Sequence, residues 1–264
     1  MLQVDYAQLQ LWLATFFWPF VRIAAFFSVS SLWGHTSLPM RLKIGLAVLL
    51  AVIIGPTLPP PPNIPVVSWP SLGIVIEQML IGVAMGLVMR LTFTTVEMAG
   101  DLIGLQMGLG FASFFAPDTG TNTMVLSRLL YMFALLLFLA LDGHLIELEI
   151  LASSFASLPI GQPLEASAGK LLAGYASTIF ASGLLLALPL VATLLIVNLS
   201  MGILNRAAPQ LTVFSVGFPV TMGIGTVMLM VMMNDLGRPL ESLFDTGLQF
   251  LRELLASLAL PPSP

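Results

Sequence analysis

Cysteine is absent from the 264 residues, which excludes a disulfide framework, a thiolate nucleophile, an iron–sulfur cluster and a cysteine-based zinc site. The two histidines, His35 and His144, lie in separate segments and outside any metal-binding spacing, so we expect no histidine-based metal centre. The sequence also lacks a nucleotide-binding fingerprint, a serine triad and a catalytic pair of carboxylates. We therefore predict no catalytic residue, no cofactor, no metal and no enzymatic activity.

Charge is scarce as well. Nine Lys and Arg and thirteen Asp and Glu make up 8% of the chain, whereas 58% is hydrophobic and the mean hydropathy is +1.00. A soluble domain has about 25% charged residues, so this composition excludes a disordered chain and an ordinary cytosolic enzyme. No run of Lys or Arg could bind nucleic acid. The composition predicts an all-α integral membrane protein.

The chain contains several long apolar segments. A helix needs about 20 residues to cross a hydrocarbon core about 30 Å thick. Six segments are candidates for long, partly broken hydrophobic helices, and they cover 9–33, 44–58, 72–89, 129–141 with flanks toward 151, 171–205 and 207–234. Pro19 and Pro189 are expected to kink or break two of them, and residues 152–169 are predicted to form a loop. Gly82 and Gly86 predict close packing of one helix face.

Residues 92–127 are too polar and too rich in glycine to predict a simple membrane span. Irregular backbone is tolerated at membrane depth only beside protein or a water-filled cavity. Two interpretations remain open at this point: an apolar constriction or plug in a pore, or a packing loop between helices. The candidate residues are Met107, Gly108, Gly110, Phe111, Phe114 and Phe115.

A few polar residues interrupt the apolar segments. Arg22 is expensive in lipid and is expected to face protein or water. Glu97 and Asp101 favour a water-facing helix over a proton relay, and the Asp142-Gly143-His144 turn favours a helix end over a proton-coupled pair. Candidates for subunit contact or a structural role are Arg22, Asp142, His144, Asn205, Arg206, Pro209 and Gln210.

The distribution of positive charge gives conflicting orientations. Arg41 and Lys43 favour a cytoplasmic first connection and an external N-terminus, whereas Arg238 and Arg252 favour a cytoplasmic C-terminus. Six crossings cannot satisfy both, so one segment is expected not to cross fully. The tail from 235 is amphipathic and predicts a short helix at the membrane interface or on a partner.

Seven short motifs, in order along nearly the whole chain, resemble the FliR family of the flagellar export apparatus, which is related to the SctT family of virulence secretion systems. They are FWP at 17–19, PMRLKIGL at 39–46, GLQMGLGFA at 104–112, DGHL at 142–145, LPIG at 158–161, NRAAPQL at 205–211 and VGFP at 216–219. Asp142 departs from the family, in which flagellar members often have Asn.

The resemblance implies one membrane-embedded domain over 1–264, consisting of a FliP-like part at 1–170, a FliQ-like helical hairpin at 171–234 and an amphipathic tail at 235–264. It also implies a pore plug at about 106–122. The expected partners are FliP and FliQ in a hetero-oligomeric gate, FlhB, the flagellar basal body, membrane lipid and the unfolded chains that are exported. The expected location is the bacterial inner membrane, with part of the protein on the periplasmic side.

The sequence has three alternative interpretations besides a flagellar export-gate subunit. The first is a virulence-type gate subunit, and only the motif match favours a flagellar subunit over it. A small-solute transporter or channel would be expected to show inverted repeats and a polar midplane site, and the sequence shows neither. An intramembrane enzyme would need a catalytic pair within its helices.

Overall fold

The computed structural model describes residues 6–62, 64–66, 68–110, 125–165, 168–207 and 216–259. These residues form helices and turns, without a strand among them. The helices are α1 (Tyr6–Val29), α2 (Met40–Ile54), α3 (Trp69–Gln106), α4 (Val125–Ala140), α5 (Gly143–Ser157), α6 (Ala168–Ala207), α7 (Phe218–Asp235) and α8 (Gly237–Leu258), with a 3₁₀ turn at Gly55–Thr57.

Five stretches are long and apolar enough to cross a membrane, and α4 with α5 would make a sixth if together they form one broken span. The five are Gln8–Val29, Met40–Thr57, Trp69–Gln106, Ala168–Ala207 and Phe218–Asp235. The protein is therefore an all-α integral membrane protein, as its composition predicts.

The chain divides into two compact units. The first comprises Met1–Leu91, Asp142–Tyr175 and Asp245–Pro264, and the second comprises Thr92–Leu141 and Ala176–Phe244.

In the first unit, α3 packs directly on the backbone of α1. A Cβ atom added at Gly82 would overlap the Arg22 carbonyl oxygen and lie 2.8 Å from the Ala25 Cβ. A Cβ added at Gly86 would lie 2.8 Å from the Phe26 carbonyl oxygen. Only glycine permits this approach, so the close packing predicted from these two glycines is confirmed.

In the second unit, aromatic rings from three helices form the core. The ring of Phe93 in α3 lies 5.4 Å from those of Phe138 in α4 and Phe244 in α8, and the last two are 5.1 Å apart. All three side chains are at most 3% exposed. Such edge and tilted pairs stabilise a core beyond their buried area.

The structure corrects several predicted boundaries. Helix α3 continues to Gln106 as part of a candidate membrane span, so the prediction that residues 92–127 are too polar for a simple span is wrong for 92–106. Thr92 and Thr95 are completely buried, and packing within the unit therefore accommodates a stretch that is polar by composition. Helix α5 likewise continues to Ser157, into the predicted loop at 152–169.

Neither Pro19 nor Pro189 breaks its helix, since both lie inside continuous helices. The kink expected at Pro19 stays a prediction. The apolar run from 129 toward 151 is instead two helices, because Asp142 adopts a left-handed conformation with φ of 56°. A left-handed residue cannot continue a right-handed helix.

The amphipathic tail forms α8, and its apolar face is buried within this chain. Leu240, Leu251 and Leu254 are at most 1% exposed. The ring of Phe250 stacks on Tyr175 at 3.9 Å, and the Glu165 amide donates to the Leu258 carbonyl oxygen at 3.1 Å. The prediction of a helix bound at the membrane interface or on a partner is therefore wrong for this face.

Candidate functional site at the end of helix α3

The predicted plug segment begins where α3 ends, and the backbone there forms a Schellman motif. The Gly108 amide donates to the Leu105 carbonyl oxygen at 3.0 Å, and the Leu109 amide donates to the Gly104 carbonyl oxygen at 2.9 Å. Gly108 has φ of 85°, the left-handed conformation that this cap requires and that glycine adopts without strain. The chain therefore leaves the axis of α3 at Gly108.

The last residues of α3 are held by α6 and α7. Met107 is 4% exposed, and a Cβ added at Gly225 of α7 would lie 2.7 Å from the Met107 Cγ. The Asn198 side-chain amide of α6 donates to the Gln106 carbonyl oxygen at 3.4 Å. The Thr221 hydroxyl of α7 lies 3.4 Å from the Met107 carbonyl oxygen. All of these residues belong to the second unit.

The described residues include only part of the candidate plug set. Met107 and Gly108 are placed by these contacts, and Gly110 is half-buried. Phe111, Phe114 and Phe115 lie outside the described residues. The plug at 106–122 therefore stays a prediction.

Arg22 lies at the centre of a buried polar cluster in the first unit. It is completely buried, and its Nε donates to the Gln78 Oε1 at 2.8 Å. Its Nη1 donates to the Ser154 carbonyl oxygen at 2.9 Å, and its Nη2 donates to the Leu158 carbonyl oxygen at 2.8 Å. The guanidinium thus binds at the C-terminal end of α5, where the Ser154 carbonyl oxygen also accepts the Leu158 amide at 2.9 Å. Arg22 faces protein, one of its two predicted surroundings.

Glu147 is a buried carboxylate that the sequence analysis missed. It is 1% exposed and accepts hydrogen bonds from the Ser30 hydroxyl at 2.9 Å and the Trp33 indole at 3.3 Å. One turn earlier on α5, the Nδ1 atom of His144 is buried and has no hydrogen-bond partner among the described residues. The available signal was an acidic residue within an apolar helix, although Glu149 on the same helix shares that signal and is exposed.

The remaining candidates lie on other elements of the chain. Asp142 is exposed at the turn between α4 and α5, while Asn205 and Arg206 lie in the last turn of α6. Pro209 and Gln210 fall outside the described residues. Within the described ranges, no group of three His, Asp or Glu side chains is placed to hold a metal ion.

Comparison with known proteins identifies the family. The family model described as bacterial export proteins, family 1, matches residues 13–247. The flagellar biosynthetic protein FliR of Escherichia coli (strain K12) is 42% identical over 261 residues, which cover 98% of this chain and 100% of the relative. FliR of Pectobacterium carotovorum subsp. carotovorum is 43% identical over 94% of this chain and 95% of the relative. FliR of Bacillus subtilis (strain 168) is 31% identical over 90% of this chain and 93% of the relative. The chain therefore belongs to the FliR family of flagellar biosynthetic proteins, within family 1 of the bacterial export proteins.

Proposed function

We propose that this membrane protein is a core subunit of the flagellar type III export gate. With FliP and FliQ it forms the channel through which unfolded flagellar subunits cross the bacterial inner membrane. It contacts FlhB within the basal body and projects partly to the periplasmic side. Residues 1–170 are its FliP-like part and 171–234 its FliQ-like hairpin. The names of the relatives favour flagellar over virulence export.

The observation that carries this proposal is the length of α6. This helix has 40 residues, and at 1.5 Å per residue it is about 60 Å long. The hydrocarbon core of a bilayer is about 30 Å thick. A single perpendicular crossing therefore accounts for only half of α6.

Large apolar side chains are exposed along most of α6. They begin at Leu171, include Phe180 and Leu199, which are 64% and 68% exposed, and end at Leu204. The two end residues are about 50 Å apart along the helix. A helix would have to tilt by about 53° to keep that length within the hydrocarbon core, whereas helices tilt by at most about 40°. Lipid alone cannot cover this surface, which supports its burial on other protein subunits.

The turn at Gly108 supports the assignment of a plug. Residues 104–109 end a rigid helix with a defined cap, so the segment that follows starts from a fixed position. An apolar segment that projects into a passage closes it to ions by excluding water. A closure built on packing can still yield to a passing polypeptide.

The absence of native cysteine permits a direct test of the subunit contacts. Leu199→Cys places a thiol on the exposed face of α6, and Leu194→Cys places one on its fully buried face. In membranes of flagellated cells, a bifunctional thiol–amine cross-linker should join the variant at 199, but not the variant at 194, to FliP or FliQ. Equal failure at both positions in assembled basal bodies would contradict the proposal.

Gene deletion separates the proposed function from its alternatives. Loss of hook and filament export, restored by the wild-type chain, is the expected result. Loss of a solute's uptake with normal motility would point to a small-solute transporter. Intact flagella with loss of effector secretion would point to a virulence gate.

A further inference from the structure

An apolar groove of about 440 Å³ lies between α1 and α2 in the first unit. Six side chains of α1, at helical spacing from Leu9 to Phe20, form one wall. Three residues of α2 between Val48 and Val52 form the other. Every lining residue is aliphatic or aromatic, and the Trp12 indole carries the only polar side-chain atom among them. Such a lining favours a hydrocarbon ligand, because a polar group would lose its hydrogen bonds to water there.

The length of the groove matches one leaflet of a bilayer. Leu9 and Phe20 lie eleven residues apart on the continuous helix α1, a distance of about 17 Å along its axis. Half of a hydrocarbon core about 30 Å thick is about 15 Å. The fatty acyl chain of one phospholipid therefore has the length to extend through the whole groove.

The groove has a packed floor and an open side. Ala51 at the floor is 2% exposed, and Phe17 packs against the core cluster that contains Trp18. The outer side chains Leu9 and Trp12 are each 54% exposed. A chain-like ligand can therefore enter sideways from the bilayer without any rearrangement of α1 or α2.

The two helices run antiparallel, which places a cation beyond one end of the groove. The Lys43 ammonium near the start of α2 donates to the Gly34 carbonyl oxygen at 2.7 Å. Just after the end of α2, a Cβ added at Gly55 would lie 2.8 Å from the Thr15 carbonyl oxygen. The exposed Arg41 at the start of α2 therefore lies beyond the end of the groove that is nearer the C-terminus of α1.

Arg41 also lies on the face of α2 that lines the groove. Val48 follows Arg41 by two helical turns and Val52 by three, so all three share one stripe of the helix. Gly45 lies between the cation and Val48, and a Cβ there would meet no atom within 4 Å. The surface between Arg41 and the groove is therefore open at this position. No side chain caps the N-terminus of α2 beside it, and the helix dipole there also favours an anion.

We propose that the groove between α1 and α2 binds a single anionic phospholipid, whose acyl chain lies along the groove and whose phosphate pairs with Arg41. A phospholipid carries its charge at the end of an apolar chain, and the cation and the groove have the same arrangement. Burial of the methylene groups stabilises the chain, and a cation near the bilayer surface attracts an anionic headgroup. A helix of a partner subunit would match this arrangement only with an acidic residue placed opposite Arg41.

The first test fills the groove. The full-length chain, purified from membranes in a mild detergent, should retain a phospholipid that native mass spectrometry detects. Val48→Phe should lower the retained fraction about tenfold. Leu49→Phe is the matched control, because the next residue is more exposed and lies outside the groove, and it should leave retention unchanged. Equal retention in the two variants would overturn the inference.

The second test removes the cation and keeps the groove. Arg41→Gln should lower the preference of the retained lipid for phosphatidylglycerol over phosphatidylethanolamine about fivefold. Arg128→Gln is the control, because Arg128 is exposed on α4, and its preference should equal that of the wild type. An unchanged preference in Arg41→Gln would overturn the assignment of the headgroup.

Fluorescence of Trp12 tests the acyl chain without a substitution in the groove. Trp69→Phe removes the most exposed indole, which is 88% exposed. After reconstitution with phosphatidylglycerol brominated in its acyl chains and re-extraction into mild detergent, this variant should keep its Trp12 emission quenched. The same chain with Trp12→Phe added gives the emission of the remaining tryptophans. Full recovery of Trp12 emission on re-extraction would show that no lipid is held.

A partner helix in the groove would give a different result. Val48→Phe would then lower the recovery of a subunit that co-purifies with the detergent-extracted chain, while the retained lipid would be the same in Val48→Phe and Leu49→Phe. That outcome would overturn the inference and assign the groove to a protein partner.

Discussion

The guanidinium of Arg22 lies over the ring of Phe155, with its central carbon 4.2 Å from the ring centroid. The same group donates to the carbonyls of Ser154 and Leu158. A cation at the C-terminal end of a helix is favoured by the helix dipole. A single side chain of α1 thus closes the end of α5 and packs on its last aromatic ring.

Arg22→Lys should destabilise the protein although it keeps the charge. A lysine ammonium is a compact charge and cannot reach Gln78, Ser154 and Leu158 together, as the planar guanidinium does. The loss should be about 2 kcal/mol, measured by thermal unfolding of the detergent-solubilised chain. Arg128→Lys is the control, because Arg128 is exposed on α4. Similar unfolding temperatures for the two variants would contradict the structural role of Arg22.

Glu147→Ala should be destabilising, whereas Glu149→Ala should be nearly neutral. Removing the buried carboxylate leaves the Ser30 hydroxyl and the Trp33 indole without their acceptor, which costs about 1–3 kcal/mol. Glu149 lies on the same helix but is exposed. The amount of each variant that accumulates in membranes, measured by immunoblot, provides the comparison. Equal amounts would show that the bonds to Glu147 contribute little.

Gly82→Ala should disrupt the packing of α3 on α1. The added methyl group would meet the Arg22 carbonyl oxygen and the Phe26 amide nitrogen, and backbone atoms cannot move aside as a flexible side chain can. We expect a loss of about 2 kcal/mol or more in unfolding free energy.

Gly73→Ala supplies the control for this contact, because a Cβ there meets nothing within 4 Å. Alanine also favours a helix over glycine by about 1 kcal/mol, so Gly73→Ala should be neutral or stabilising. Gly82→Ala should therefore lower the unfolding temperature, whereas Gly73→Ala should leave it unchanged or raise it, and a stabilising Gly82→Ala would contradict the observed close approach.

The helices were largely predictable because length and hydropathy are local properties of the sequence. Gly82 and Gly86, one helical turn apart, predicted a close contact for the same reason. The extent of α3 was not predictable in this way, since Thr92 and Thr95 look polar in sequence and are buried only because of their unit's packing.

The polar clusters depend on residues that are far apart in the chain. Glu147 is separated from Ser30 by 117 positions, and Arg22 from Ser154 by 132. Gly225 likewise has no local signal that would indicate its contact with Met107. A single sequence shows which residue types are unusual in a membrane helix, but the partner that satisfies each one is determined by tertiary packing.

Asp142 is the only residue other than glycine with positive φ in the described part of the chain. Asp and Asn tolerate this left-handed conformation, whereas a β-branched side chain does not. Asp142→Asn should therefore leave stability unchanged, and it also tests whether the charge matters, since the side chain makes no capping hydrogen bond. Asp142→Val should cost about 2 kcal/mol in unfolding free energy.

Leu141, the exposed residue next to Asp142, provides a control that separates the effect of the backbone conformation from the effect of the valine side chain. Leu141→Val introduces the same side chain at a position without positive φ, so it should change the unfolding temperature little. If Asp142→Val were equally harmless, the turn would have to accommodate a right-handed residue, and α4 and α5 could then join into the single helix that the apolar run suggests. The comparison therefore tests whether the break between these helices is encoded at Asp142 itself or imposed by the packing on either side.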